Sequence, residues 1–195
     1  MIDSKEERLP VPDRPLVRGE KVWLRALEQG DMDAYTAGVN DTEVGGRAGY
    51  RWPQSADQSR AWLERQQEGV RRGEVFAYAV CELGDDRFVG TIWLKDVNLL
   101  DGNAELAIFM DRDHLGGGWG TDAQRALLTF AFGSLGLERV FLTVDVNNQR
   151  AVRSYEKVGF QHEGVMRRAR RGPTGLEDSL LMAILRDEWE AGGEA

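Results

Sequence analysis

One short run has the composition of an anion cradle: Leu115-Gly116-Gly117-Gly118-Trp119-Gly120-Thr121, between a predicted strand and the strongest predicted helix. Glycines let a backbone approach a ligand closely. The unpaired N–H groups of a helix's first turn, helped by its dipole, favour a phosphate or pyrophosphate. No Lys-Ser/Thr pair follows, so this is not a P-loop, and Gly116-x-Gly118-x-x-Thr121 lacks the third small residue of the dinucleotide fingerprint. The same glycines would also suit a plain turn that starts a helix. Two acid–base groups lie nearby in sequence. Glu105 shares one strand face with Asn103, Ala107 and Phe109, and Tyr155 shares a helix face with Ala151 and Val152. Their structural readings are a solvated or ion-paired carboxylate and a core aromatic. Asn148 stands where a helix cap is wanted.

Positioning these groups takes a sheet with helices packed on it. Residues 22–27 read as a first strand, and Asp31 followed by Met32, Tyr35 and Val39 reads as a helix. A glycine-rich loop at residues 41–54 holds Gly45, Gly46, Gly49 and Pro53 beside Tyr50 and Trp52, and the capping-box signal Ser55-x-x-Gln58 then opens a helix reaching about Arg72. Residues 75–83, 87–95 and 103–110 form an antiparallel meander. Residues 121–135 place Ala123, Ala126, Leu127, Phe130, Ala131 and Leu135 on one helical face, ending at Gly136. A strand at 140–146, a helix at 151–158 and strands at 160–168 and 176–185 complete the pattern. The order predicts an α/β fold: a mixed, largely antiparallel sheet flanked by helices, with a parallel connection. Residues 1–19, with Pro10, Pro12 and Pro15, read as an extended N-terminal arm, and residues 20–190 as a single domain.

Composition narrows the function classes. The chain has 195 residues with 42% hydrophobic side chains, enough to bury a core, and 25 Lys+Arg against 33 Asp+Glu give a net charge of −8. An acidic balance argues against a direct nucleic-acid surface and is compatible with a cationic substrate. No apolar run approaches the ~20 residues of a membrane span, the N-terminus is no signal peptide, and the expectation is a cytoplasmic protein. One cysteine, Cys81, and two histidines, His114 and His162, make a metal site unexpected. Cys81 reads as a buried small hydrophobe rather than an acyl carrier. His114 reads as a lone surface histidine beside the glycine loop. Arg167-Arg168-x-Arg170-Arg171 reads as a solvated hairpin tip that could steer an acidic partner. Trp52, Trp62 and Trp93 serve either as core or as the wall of an acceptor site.

A second motif runs from Asn148 to Phe160 and completes the pattern Asn-x-x-Ala-x-x-x-Tyr-x-x-x-Gly-Phe. With the glycine loop, it makes the chain resemble the GNAT superfamily of acetyl-CoA-dependent N-acetyltransferases. Leu115 departs from the polar residue usual at the loop's first position. Trp23-Leu24-Arg25 with Asp31, Arg51-Trp52-Pro53, Ala104-Glu105-Leu106-Ala107 and Thr121-Asp122-Ala123 are similar to the Rim-type branch, associated with acetylation of ribosomal-protein N-termini. The match spans roughly residues 20 to 185.

The resemblance implies acetyl-CoA as co-substrate, lying where the sheet opens between the fourth and fifth predicted strands. Its pyrophosphate would rest on Leu115, Gly116, Gly117, Gly118, Trp119, Gly120 and Thr121. Its pantetheine would meet Asn148 and the backbone of Ile108, Phe109 and Met110, which would also polarise the thioester carbonyl. Glu105 would take the amine proton, directly or through water, with Asp111 and Asp96 in reserve. Tyr155 would protonate the departing sulfur. The implied acceptor is a protein or peptide N-terminal amine, and a polyamine or aminoglycoside is the alternative. A non-catalytic acyl-CoA-binding module is the rival of another class. The meander edge or the proline arm offers a place for homodimer contact.

Overall fold

Strand alternation and helix caps together build the sheet that the sequence pattern calls for. The computed structural model describes residues 17–47, 53–172 and 175–192. Its strands are β1 (Val17–Arg18), β2 (Val22–Ala26), β3 (Phe76–Glu82), β4 (Phe88–Asn98), β5 (Asn103–Met110), β6 (Arg139–Asp145), β7 (Gln161–Gly172) and β8 (Gly175–Leu185). They form one sheet in the order β1-β2-β3-β4-β5-β6-β8-β7. Every neighbouring pair is antiparallel except β5 and β6. The helices are α1 (Met32–Val39), α2 (Val44–Arg47), α3 (Ala56–Arg72), α4 (Trp119–Gly133), α5 (Gln149–Val158) and α6 (Arg186–Gly192). This is the expected mixed α/β fold.

Each sheet face carries its own core. Leu106, Leu127, Leu142, Tyr155 and Ile184 belong to the cluster under α4 and α5, whereas Trp23, Tyr35, Leu63 and Phe109 belong to the cluster under α1 and α3. Burying each large apolar side chain contributes about 1.5–3 kcal/mol. Local signals fix the helix ends. The Ser55 N–H donates to Gln58 Oε1 at 2.8 Å and the Gln58 N–H to Ser55 Oγ at 3.2 Å, closing the expected capping box on α3. Gly73, at φ 72°, ends the same helix.

The parallel ladder is where the sheet opens. β5 and β6 pair at Asn103–Arg139, Ala104–Val140 and Glu105–Phe141, and no further. Beyond that rung, Leu106 to Met110 are paired only with β4, and Leu142 to Asp145 only with β8. Each strand is held on its far side by an antiparallel neighbour, so the two diverge without losing alignment. These are the fourth and fifth strands of the sequence reading; the extra two-residue β1 shifts the count by one.

Other departures are local. Val17 and Arg18, assigned from sequence to the extended arm, form the edge strand β1. Gly45 and Gly46 lie in the short α2 rather than in a loop. Gly49, Tyr50, Arg51, Trp52 and the three arm prolines lie outside the described residues. Among the described residues, no helix is long and apolar enough to cross a membrane.

Candidate active site

Glu105 occupies the last rung before the opening. Cross-strand from it on β4 is Lys95, whose Nζ lies 2.8 Å from Glu105 Oε2; the Thr143 hydroxyl donates to Oε1 at 3.5 Å. Ala104 and Leu106 turn into the core under α4, so Glu105 projects from the opposite face, toward α1 and α3. Tyr155 reaches the opening from the other side. Asn148 Oδ1 accepts the Ala151 N–H at 3.3 Å, and Gly159, at φ 112°, ends α5. The short helix thereby turns Val152, Tyr155 and Val158 inward. Burial pushes the Tyr155 phenol up to about 12, so it stays protonated at neutral pH, and its hydroxyl has no protein hydrogen-bond partner among the described residues. Both side chains line one cleft of about 700 Å³.

The glycine loop is built as a cradle. Gly116 and Gly118 take φ values of 81° and 83°, a region that disfavours any side chain. Leu115 is half-buried and packs against both core clusters, so an apolar residue at that position anchors the loop. The Lys21 ammonium donates to the Gly117 carbonyl at 2.8 Å. Asp122, in the first turn of α4, accepts backbone N–H bonds from Glu20 at 3.0 Å, Lys21 at 2.8 Å and Val22 at 3.0 Å. The Asp122 carboxylate thus ties the β1–β2 turn to the loop. Asp122→Ala is expected to lower stability by about 2 kcal/mol, because three bonds to a charged acceptor are lost together, and to weaken acetyl-CoA binding; thermal unfolding and titration calorimetry check both.

His114 is not the surface residue expected. It is 9% exposed, its Nδ1 lies 2.5 Å from Asp111 Oδ1, and its ring meets Trp119 edge-on at 5.2 Å. Asp111 reaches back to cap the turn holding His114, a local bond that sequence spacing alone does not reveal. Leu115, Gly116, Gly118, Gly120 and Thr121 line the cleft, as do Ile108, Phe109, Met110 and Asn148. Gly117 and Trp119 do not: one carbonyl is taken by Lys21, and the other ring packs on His114.

First-turn N–H groups on α4, an unpaired β5 edge and a long cleft between them suit a pyrophosphate-bearing acyl thioester. Comparison with known proteins agrees: residues 21–161 match the family described as Acetyltransferase (GNAT) domain. The chain belongs to the GNAT acetyltransferases. Spermidine N(1)-acetyltransferase of Escherichia coli is 28% identical over 152 residues, covering 73% of this chain and 74% of that one. A putative ribosomal N-acetyltransferase of Bacillus subtilis, YdaF, is 28% identical, covering 88% and 94%. The crystal structure of Vibrio cholerae spermidine N-acetyltransferase with CoA and spermine superimposes with a TM-score of 0.76 at 24% identity, covering 87% and 98%. The protein is an acetyl-CoA-dependent N-acetyltransferase.

Other walls of this GNAT cleft were not legible from motifs. Arg150, Arg153 and Lys157 line it from α5, at a helical spacing that puts three cations on one side. Arg170 was expected at a solvated hairpin tip; instead it bridges to Asp145 at 2.6 Å, both side chains under a fifth exposed. Its strand β7 lies beside β8, and Arg170 reaches across to β6. Trp93 lines the cleft and Trp62 meets its ring edge-on at 5.8 Å while stacking on Tyr35 at 4.5 Å, so these tryptophans are wall and core at once. Cys81 is fully buried, and burial pushes its thiol up to about 12. Asp111 is held by His114, and Asp96, at φ 51°, sits in a β4 irregularity away from the cleft lining. Among the described residues no His, Cys, Asp and Glu cluster suits a metal.

Proposed function

We propose that the protein transfers acetyl directly from acetyl-CoA to the N-terminal α-amine of a protein or peptide, within a ternary complex. The observation that carries this reading is the opening of the sheet just past the Glu105–Phe141 rung, with Glu105 and Tyr155 lining it from opposite faces. Acetyl-CoA supplies the thioester. The loop from Leu115 to Thr121 binds the pyrophosphate through backbone N–H groups. Arg150, Arg153 and Lys157 meet its phosphates. The free edge of β5 at Ile108 to Met110 orients the pantetheine and polarises the carbonyl, and Asn148 borders the same arm. Glu105 takes the amine proton, directly or through a water, while Lys95 and Thr143 hold its carboxylate in place. Tyr155 gives its proton to the sulfur. The buried, protonated Cys81 thiol is no acyl carrier, which favours a direct attack over a two-step relay.

The names of the relatives divide between spermidine and ribosomal acceptors. Charge within the cleft supports the peptide. The carboxylates lining it among the described residues, Glu105 and Asp145, are each bridged to a built-in cation, Lys95 and Arg170. A polyamine would have to displace those cations. This reading places the chain in the Rim-type branch and in the cytoplasm.

CoA release from a panel of peptide N-termini, spermidine and an aminoglycoside tests the acceptor, and peptide turnover is expected. An α-amine, with a pKa of about 7.7–8.0, is already partly neutral at pH 7.5, whereas an alkylamine near 10.4 is not. Glu105→Gln is therefore expected to lower kcat about tenfold for a peptide, and further for any alkylamine. Unchanged turnover in Glu105→Gln would remove Glu105 as the base. Tight acetyl-CoA binding with no CoA release from any amine would favour the non-catalytic module.

A further inference from the structure

We propose that Arg170 reads the acceptor: it takes a carboxylate carried by the amine-bearing substrate, close to the amine to be acetylated. This rests on the peptide-amine reading above and narrows it to acidic acceptors.

Two observations distinguish Arg170 from the other cleft cations. The first is unequal satisfaction across the Arg170–Asp145 pair. Asp145 uses both carboxylate oxygens: Oδ1 accepts the Asn147 N–H at 2.9 Å, and Oδ2 lies 2.6 Å from Arg170 Nη1. Each oxygen thus already has a partner, and one of those partners is a cation. Arg170 presents five N–H donors in a planar fork, and among the described residues this single contact is the one its guanidinium makes. Its cross-strand neighbour on β8, Glu177, turns its carboxylate over Gly172 instead. With 17% of its side chain exposed, Arg170 is a largely desolvated cation with donors to spare, lining the cleft beside Met166, Ala169 and Ser179. Such a group gains most from a second anion.

The second observation is which face it occupies. Val140, Leu142 and Val144 of β6 enter the core under α4 and α5, so Phe141, Thr143 and Asp145 project from the opposite face, where Glu105 also projects. Arg170 meets Asp145 there. The glycine loop begins α4, and Arg153 and Lys157 lie on α5, so these groups suited to phosphates belong to the other face, while Arg150 of α5 is paired with Glu43 beside α2. Arg170 therefore stands with the proton acceptor, on the side from which an amine approaches, and not with the phosphate-binding groups.

The test is steady-state acetylation by the full-length protein of three peptides that differ only at the second residue, Glu, Gln or Lys, with free glutamate and spermidine as further acceptors. The wild type is expected to favour the Glu peptide over the Gln peptide by about tenfold or more in kcat/KM, the scale of one charge-assisted bond. Arg170→Gln should collapse that ratio to near one through KM rather than kcat. Arg170→Lys should keep part of it, and acetyl-CoA affinity should hold within about twofold. Free glutamate turned over as well as the Glu peptide would show that a carboxylate on the amine-bearing residue itself supplies the anion; preference for the peptide assigns it to the side chain of the second residue. Peptide turnover with no preference among the three in the wild type overturns the Arg170 assignment alone, and does not depend on any variant folding. A parallel loss of acetyl-CoA binding in Arg170→Gln would place Arg170 on the phosphates and overturn it too. Turnover of spermidine with no peptide acetylated overturns both the assignment and the acceptor reading beneath it.

Discussion

Tyr155→Phe is expected to lower kcat by about 100-fold or more while leaving acetyl-CoA affinity unchanged, since positioned general acids contribute roughly 10²–10⁴-fold. The substitution is unusually clean. Tyr155 is 7% exposed, its ring packs edge-on against Phe160 at 5.7 Å, and its hydroxyl bonds to no described protein group. Phenylalanine keeps the packing, so stability should be unchanged or slightly raised, and the loss in rate reports the hydroxyl alone. Desolvation raises the phenol to about 12. The phenol proton is consequently present throughout the neutral and mildly alkaline range and is lost only as pH rises through that value. Parallel measurement of kcat, KM for the amine and the acetyl-CoA dissociation constant checks the assignment. A kcat within about twofold of wild type would leave the departing thiolate to be stabilised by backbone dipoles or water, and Tyr155 would be a core aromatic only.

The contrast between Tyr155 and Arg170 shows what a sequence carries. Tyr155, Asn148 and Gly159 lie within one short helix, and the chemistry of each is set by neighbours a few positions away: a cap, an inward face, a left-handed stop. The capping box of α3 and the glycine loop at the start of α4 were legible for the same reason. Arg170 finds Asp145, 25 positions earlier, by crossing β8, and the four clustered arginines at 167, 168, 170 and 171 offered no hint of which one turns into the cleft. Lys95 with Glu105 and Asp122 with the β1–β2 turn are likewise products of register between distant strands. His114 was missed on a smaller scale. A lone histidine beside glycines looks solvated, and its burial depends on the Trp119 ring folding back over it. The opening of the sheet was legible only through the resemblance, because no residue between Glu105 and Met110 announces that its strand will be abandoned by β6.

Asp31→Ala, well away from the reacting atoms, is expected to cost about 3–5 kcal/mol, the scale of breaking a buried ion pair from one side. Asp31 is 1% exposed and receives the Arg25 guanidinium through two bonds of 2.8 Å, together with the Glu28 N–H at 2.8 Å. Removing it leaves Arg25, itself only 11% exposed, with Asp86 as its remaining carboxylate. For a chain of this size the midpoint of thermal unfolding should fall by about 10 °C. The lesion lies at the start of α1, the helix that carries Tyr35. Tyr35 stacks on Trp62 and meets Phe109 edge-on at 5.7 Å, while Gly38 abuts the same Phe109 ring, so α1 supports the β5 face from which Glu105 also projects. Loss of the pair should therefore appear first as loss of folded protein, and a ligand that binds only the folded state must reverse it. Acetyl-CoA at 100 times its dissociation constant should return about 2.7 kcal/mol, restoring much of the fall in midpoint and the specific activity with it. A midpoint lowered but insensitive to acetyl-CoA would mean that α1 shapes the cofactor cleft itself; an unchanged midpoint would mean that Arg25 is satisfied by Asp86 alone.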